Sequence, residues 1–329
     1  MFAALNIHKP KGCTSHDVVA AVRRIYGLRR VGHMGTLDPM ATGVLPLCLG
    51  TATRLIEYFP TDKRYRADIT FGVTTTTLDA EGEVITTTPA AHLSEAEILA
   101  VLPAFLGEQQ QEVPAYSAVK VKGKKLYELA RAREKAALDS PSPLGERGLG
   151  GEGPLAILEK LPSKPITIYA LENATVAGVG TDHPVLTVDI HCSGGTYIRS
   201  LARDIGYRLG VGAHMSALER TAHGNFPVAE AVEYEMLKGA ENPAQYLLDP
   251  LQFVGLPQLP LASEDECARI RNGMKIQPEN LSQPLKSNQR YMVTFAGQPV
   301  CVAEAMTGEQ YANGRVAKQL RPLKVFAPD

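Results

Sequence analysis

One short stretch limits the folds open to this chain more than any other: Gly32-His33-Met34-Gly35-Thr36-Leu37-Asp38-Pro39-Met40-Ala41-Thr42-Gly43. Three glycines and a proline in so short a run exclude a regular helix or strand and set a tight loop around a single carboxylate. Regular elements flank it. Ser15 reads as the N-cap of a helix carrying Val18, Val19, Val22 and Ile25 at helical spacing, with Gly27 as its stop, and residues 44–49 form an apolar strand-like run. Upstream, residues 2–7 read as a short strand. Downstream, Tyr65, Ala67, Ile69 and Phe71 alternate as one face of a half-buried strand with a basic outer face.

Ser94 with Glu97 makes a capping box ahead of Ile98, Leu99, Leu102 and Phe105, predicting a helix that ends near Gly107. A strand at residues 186–192 and a helix at about 197–209 follow, with Thr196 as N-cap and Gly210 as stop. Helices and strands alternate without a βαβ rhythm, which predicts an α+β fold. Between residues 134 and 165 the chain turns rich in Gly, Pro, Ser and Glu and loses periodicity, as a flexible surface insertion does. Residues 1–246 thus read as one large domain and residues 247–260, rich in Pro and Leu, as a linker. Short apolar runs at 291–295 and 300–303 suggest a small β-rich domain over residues 261–329.

Composition narrows the function classes. With 44% hydrophobic residues the chain can bury a real core. Its five cysteines form no CxxC pair and its eight histidines no HExxH spacing, so neither a disulfide framework nor a metal site is expected, and a reduced, cytoplasmic setting fits best. No stretch reaches the ~18 apolar residues of a membrane span. The net charge of −1 hides a division: residues 1–66 carry ten Lys or Arg against four Asp or Glu, and residues 117–135 seven against two. Residues 224–272 carry three against eight. A polyanion fits the first two stretches, and a solvated basic face is the plainer reading of the same charges.

By itself Asp38-Pro39 is an ordinary turn starter. Its neighbours change the weighting. The whole loop, the preceding Lys9-Pro10-Lys11-Gly12-Cys13-Thr14-Ser15, Lys63-Arg64-Tyr65, Tyr116-Ser117-Ala118-Val119-Lys120, residues 123–131 and Thr196-Tyr197-Ile198-Arg199-Ser200-Leu201-Ala202-Arg203-Asp204 resemble one family in order and spacing. That family is the bacterial tRNA pseudouridine-55 synthases of the TruB type, and the resemblance runs through residues 1–228.

The resemblance implies an α+β pseudouridine-synthase core with a bent mixed or antiparallel sheet, followed by a small β-rich PUA-like domain. It implies that the substrate is the T arm of tRNA; no step of that reaction requires redox change or metal and no cofactor motif is seen, so no cofactor, metal, membrane or required protein partner is expected, and the chain is expected to be a monomer. Asp38 takes the position of the catalytic aspartate, Arg199 that of the arginine paired with it, and Tyr65 that of the tyrosine stacked on the flipped uracil. His33, Lys120, Tyr197, Leu218 and Arg220 fall on RNA-contacting or pocket-lining positions, with Lys122, Lys124 and Lys125 beside a thumb-like element. Two departures stand out: Met34 is larger than the usual residue, and Glu219 stands where an arginine is common beside Arg220. Two further readings remain, a non-catalytic tRNA-folding protein and a synthase for another RNA.

Overall fold

The computed structural model describes residues 1–121, 123–138, 161–279, 285–310 and 316–326, without side chains at 133–138, 307–310 and 316–318. Strand β1 (Phe2–Lys9) leads into helix α1 (Ser15–Ile25) and strands β2 (Val31–His33), β3 (Thr42–Gly50) and β4 (Lys63–Phe71). A hairpin of β5 (Val73–Thr75) and β6 (Val84–Thr87) precedes helix α2 (Glu95–Ala100) and strand β7 (Gly107–Glu112). Next come the short pair β8 (Lys120–Val121) and β9 (Lys124–Lys125), and then helix α3 (Leu126–Leu138). Strands β10 (Ser163–Ala177) and β11 (Val185–Cys192), helix α4 (Ile198–Arg208) and strand β12 (Ala213–His223) follow. Strands β13 (Phe226–Pro227) and β14 (Val232–Glu233) and helix α5 (Tyr234–Lys238) close the large unit.

The main sheet runs β14-β1-β3-β12-β4-β11-β10-β7, with β2 on β3 and β13 on β12. Pairs β1–β14 and β3–β12 are parallel and the others antiparallel, so the sheet is mixed and the fold α+β, as expected. Helices α1, α2 and α4 cover one face. Val18 and Val22, Ile98, and Leu201 and Ile205 pack there with Leu5, Leu47, Ile69 and Val188. Each such aliphatic side chain taken out of water contributes about 1.5–3 kcal/mol.

The capping box at Ser94 and Glu97 is present. Two other caps move by one residue. Thr14, not Ser15, caps α1, accepting from the Asp17 amide while Asp17 answers the Thr14 amide. Ser15 is buried and bonds elsewhere. At α4 the capping position falls to Tyr197, and Thr196 turns its hydroxyl back to the Ser193 carbonyl. Of the insertion read at residues 134–165, α3 takes in the start and β10 begins at Ser163, while residues 139–160 lie outside the described residues.

A second sheet, β15 (Gln258–Pro260), β16 (Arg290–Phe295), β17 (Gln298–Gln310) and β18 (Val316–Val325), packs with helix α6 (Glu264–Arg271) as a small C-terminal β domain. It docks on the face of the main sheet opposite α1. Met292, Val302 and Phe326 share a core with Ala4, Val44, Cys48, Leu55 and Phe59. Residues 247–260 are drawn into the same contact, since Leu248 exchanges both backbone bonds with Ala4 and Leu251 and Val254 are buried. Among the described residues no helix is long and apolar enough to cross a membrane.

Candidate active site

The loop between β2 and β3 carries Asp38, and it is pinned from beneath. Gly43, with φ of 97°, crosses so close to β12 that a Cβ there would sit 2.3 Å from the Arg220 carbonyl oxygen, a conformation and a distance that only glycine permits. The Arg220 side chain is wholly buried and donates to the carbonyls of Val44 (2.6 Å), Gly35 (3.1 Å) and Thr36 (3.2 Å). Lys9, also fully buried, donates through Nζ to the carbonyls of Pro10, Cys13 and Pro39. Burial lowers its pKa. Backbone carbonyls thus take the place of water around two buried cations, which ties the loop to both strands.

Arg199 enters from the first turn of α4 and is 5% exposed. Its Nε lies 2.9 Å from Asp38 Oδ2 and its Nη2 3.4 Å from Asp38 Oδ1, a two-pronged pair that fixes the plane of the carboxylate. The other donors are also used. Nη2 reaches the Tyr116 carbonyl at 3.0 Å, and Nη1 reaches the Thr77 carbonyl at 3.1 Å and lies 3.7 Å from Asp79 Oδ2. Asp79, 4% exposed, is itself held by the Thr77 hydroxyl and the Glu81 amide. Its turn bonds to β12 through the Met215 backbone and carries Leu78 at φ 63°, an unfavourable conformation for that side chain.

Asp38, Tyr65, Tyr197, Arg199 and Leu218 line one cavity of about 570 Å³, within the ~300–1,000 Å³ usual for ligand pockets. Tyr65 stands on β4 opposite Arg220, 6% exposed, and burial raises its hydroxyl to about 12. Tyr197 is held by Gln111, whose side-chain amide bonds both its backbone N–H and its carbonyl. Lys63 also lines the cavity, and burial, with Arg220 nearby, lowers its ammonium to about 8.

The remaining sequence candidates lie elsewhere. His33 is half-buried on β2, edge-to-face with His16 at 5.7 Å, and its pKa is lowered by burial. Lys120 is exposed on β8, outside the cavity lining. Arg220 braces the loop from below and does not reach solvent. Glu219 and Glu233 flank His8, at 3.5 and 3.2 Å.

Asp79 was not among the sequence candidates, and Tyr127 and Arg131 entered only as part of the thumb-like segment; all three line the cavity. Asp79 sits in a threonine-rich turn where an aspartate is commonplace, and only the buried Arg199 beside it gives it meaning. Tyr127 and Arg131 lie four apart on α3, with the Arg131 guanidinium 5.6 Å from the Tyr127 ring centre.

The TruB family pseudouridylate synthase model (N-terminal domain) matches residues 23–142, and that for the tRNA pseudouridylate synthase B C-terminal domain matches residues 199–252. A tRNA pseudouridine synthase B of Acaryochloris marina is 44% identical over 237 residues, covering 72% of this chain and 73% of that protein. One of Synechocystis sp. is 42% identical over 269 residues, covering 81% and 82%. Among solved structures, a chain of a Cbf5-Nop10-Gar1 complex superposes with a TM-score of 0.64 at 26% identity, over 99% of this chain and 85% of that one. A chain of an H/ACA RNP bound to a substrate RNA containing 2′-deoxyuridine has the same TM-score at 24% identity, over 99% and 86%, and shares the fold.

Proposed function

Because the chain belongs to the TruB family of pseudouridylate synthases, we propose that it isomerises uridine 55 in the T loop of tRNA to pseudouridine, with Asp38 as the reacting carboxylate. The observation that carries this reading is the Asp38–Arg199–Asp79 chain at the wall of a cavity that also holds Tyr65.

Isomerisation breaks the bond from N1 to C1′, rotates the uracil and joins C5 to C1′, with a proton lost from C5 and one gained at N1. A carboxylate must stand beside the sugar and base, whether it adds covalently or takes the C2′ proton. Arg199 holds it aimed. A uridine in a folded loop has to leave its stack to enter the cavity, and stacking on Tyr65 offsets part of an unstacking penalty of about a few kcal/mol. The Tyr65 hydroxyl, raised to about 12, stays protonated at working pH and is available as a donor. Lys120 and Lys124 beside the thumb-like element and Arg131 on it take the RNA phosphates, and His33 stacks near the flipped base. Leu218 and Tyr197 shape the walls. Arg220 serves the same reaction from beneath the loop.

The reading has the protein act alone, without cofactor, in the cytoplasm. Purified protein and unmodified tRNA transcript, read by base-resolved chemical detection of pseudouridine, test all of it at once. Conversion at position 55 is expected. Binding without conversion would favour a tRNA-folding role, and activity only on another RNA or with added proteins would favour a different substrate.

A further inference from the structure

The segment Lys9 to Ser15 carried much of the sequence signal, and Ser15 has no part in capping α1, because Thr14 and Asp17 satisfy that helix end. Its side chain instead grips the backbone of Leu37. Ser15 Oγ accepts from the Leu37 N–H at 2.9 Å and donates to the Leu37 carbonyl at 3.1 Å, and the serine is 1% exposed. One hydroxyl thereby satisfies both polar groups of the residue immediately before Asp38. On the other side of Asp38, the Pro39 carbonyl accepts from Gly12 N–H at 2.8 Å and from Lys9 Nζ at 3.2 Å. The Asp38 carbonyl accepts from Ala41 N–H at 3.1 Å, which closes the turn.

We propose that Ser15 is a positioning residue for the reaction: its two bonds to Leu37 fix the main chain from which the Asp38 carboxylate projects. This deepens the function proposed above and rests on it. Arg199 grips only the carboxylate end, so a main chain free to shift beneath Asp38 would let the Asp38–Arg199 pair move as a unit away from the reacting carbons. The restraints act on different atoms: Arg199 on the carboxylate, Lys9 and Gly12 on the Pro39 carbonyl, and Ser15 on both polar groups of Leu37. Errors of about 1 Å at the reacting groups lower rates by as much as ~100-fold.

The test pairs two adjacent threonine and serine variants, since the structure gives their hydroxyls opposite tasks. Ser15→Ala removes the grip and leaves the Thr14 cap in place. Thr14→Ala removes the cap and leaves the grip. Single-turnover rate, tRNA dissociation constant and Tm are measured for both beside the wild type. Ser15→Ala is expected to slow the chemical step by roughly 10–100-fold with tRNA affinity unchanged, while Thr14→Ala lowers Tm and keeps the rate of the folded enzyme. A Ser15→Ala protein with a wild-type single-turnover rate overturns the proposal. So does a pair of variants that lose Tm and rate in parallel, for the hydroxyl is then a fold-stabilising group only. A wild-type protein silent on tRNA would instead bring down the substrate reading, and with it the reaction that Ser15 serves.

Discussion

Arg199 and Asp79 face each other at 3.7 Å with both side chains 6% exposed, so the guanidinium that aims the half-buried Asp38 is itself anchored to a carboxylate shut off from water. Removing the arginine strands that carboxylate. Arg199→Ala should therefore lower stability by about 3–5 kcal/mol as well as slow turnover, and Arg199→Lys should keep part of the stability but little of the rate, because an ammonium cannot span both oxygens of Asp38. Urea denaturation and single-turnover assays on the same preparations separate the effects. A lysine variant with wild-type rate would show that charge alone suffices.

Asp79→Asn keeps the shape and the bonds to Thr77 and Glu81 within reach but removes the charge opposite Arg199. Turnover should fall by about tenfold, one charge-assisted interaction's worth, with tRNA affinity retained. Full activity in this variant would mean that the Thr77 and Tyr116 carbonyls hold Arg199 without help.

For Asp38→Asn the expectation is loss of isomerisation with RNA binding intact, as the loop has one carboxylate and its removal relieves repulsion toward phosphate. Measurable turnover in the variant, after exclusion of wild-type contamination, would move the chemistry to another group.

Much of this site was legible in the sequence because the loop around Asp38 and the Thr196–Arg199 segment are local patterns. Their meeting was given only by the family resemblance, which pairs Arg199 with Asp38, and not by any local pattern. The glycines announced a tight turn and the helical period placed Arg199 in a first turn, yet the 2.9 Å contact of Arg199 with Asp38 depends on α4 packing against β12, which in turn pairs with β3. Ser15 shows the limit at a finer scale: Thr14 and Ser15 are equally good caps by type, and only the position of Leu37 decides which hydroxyl is free for the helix. Strand β7, Gly-Glu-Gln-Gln-Gln-Glu, was missed because its polar side chains carry little apolar alternation, and it is a strand through its pairing with β10.

His223, 2% exposed, lies under the loop with its ring against Gly35, and burial reinforced by Arg220 and Lys63 pushes its pKa down to about 2. The unfolded chain binds a proton near the ordinary 6.5, so the folded state is favoured fully above that pH and loses stability as pH falls toward 2, by up to about 1.4 kcal/mol per unit. His223→Leu should flatten the acid limb of urea stability between about pH 6 and 4 by roughly one proton. Parallel limbs for variant and wild type would contradict a buried neutral imidazole.

Phe326 sits 1% exposed, edge-to-face with Phe2 at 6.1 Å, in the core shared by the two sheets. Phe326→Ala should destabilise by about 3–5 kcal/mol, with little change in the rate of the folded protein at low temperature. A Tm within a degree of wild type would mean that the domains are held by their polar contacts, such as Arg54 to the Val325 carbonyl.

Strands β3 and β4 follow one another along the chain, but β12 lies between them, parallel to one and antiparallel to the other. On a ribosome adding about 5–20 residues per second, the loop bearing Asp38 emerges early and waits, with its sheet split, until residues 213–223 arrive to fill the gap. The edges of β3 and β4 stay unpaired through that interval, open to mispairing with other chains. Catalytic competence then cannot precede the arrival of β12, and a chain truncated before it carries every acid and tyrosine of the site without being able to assemble it.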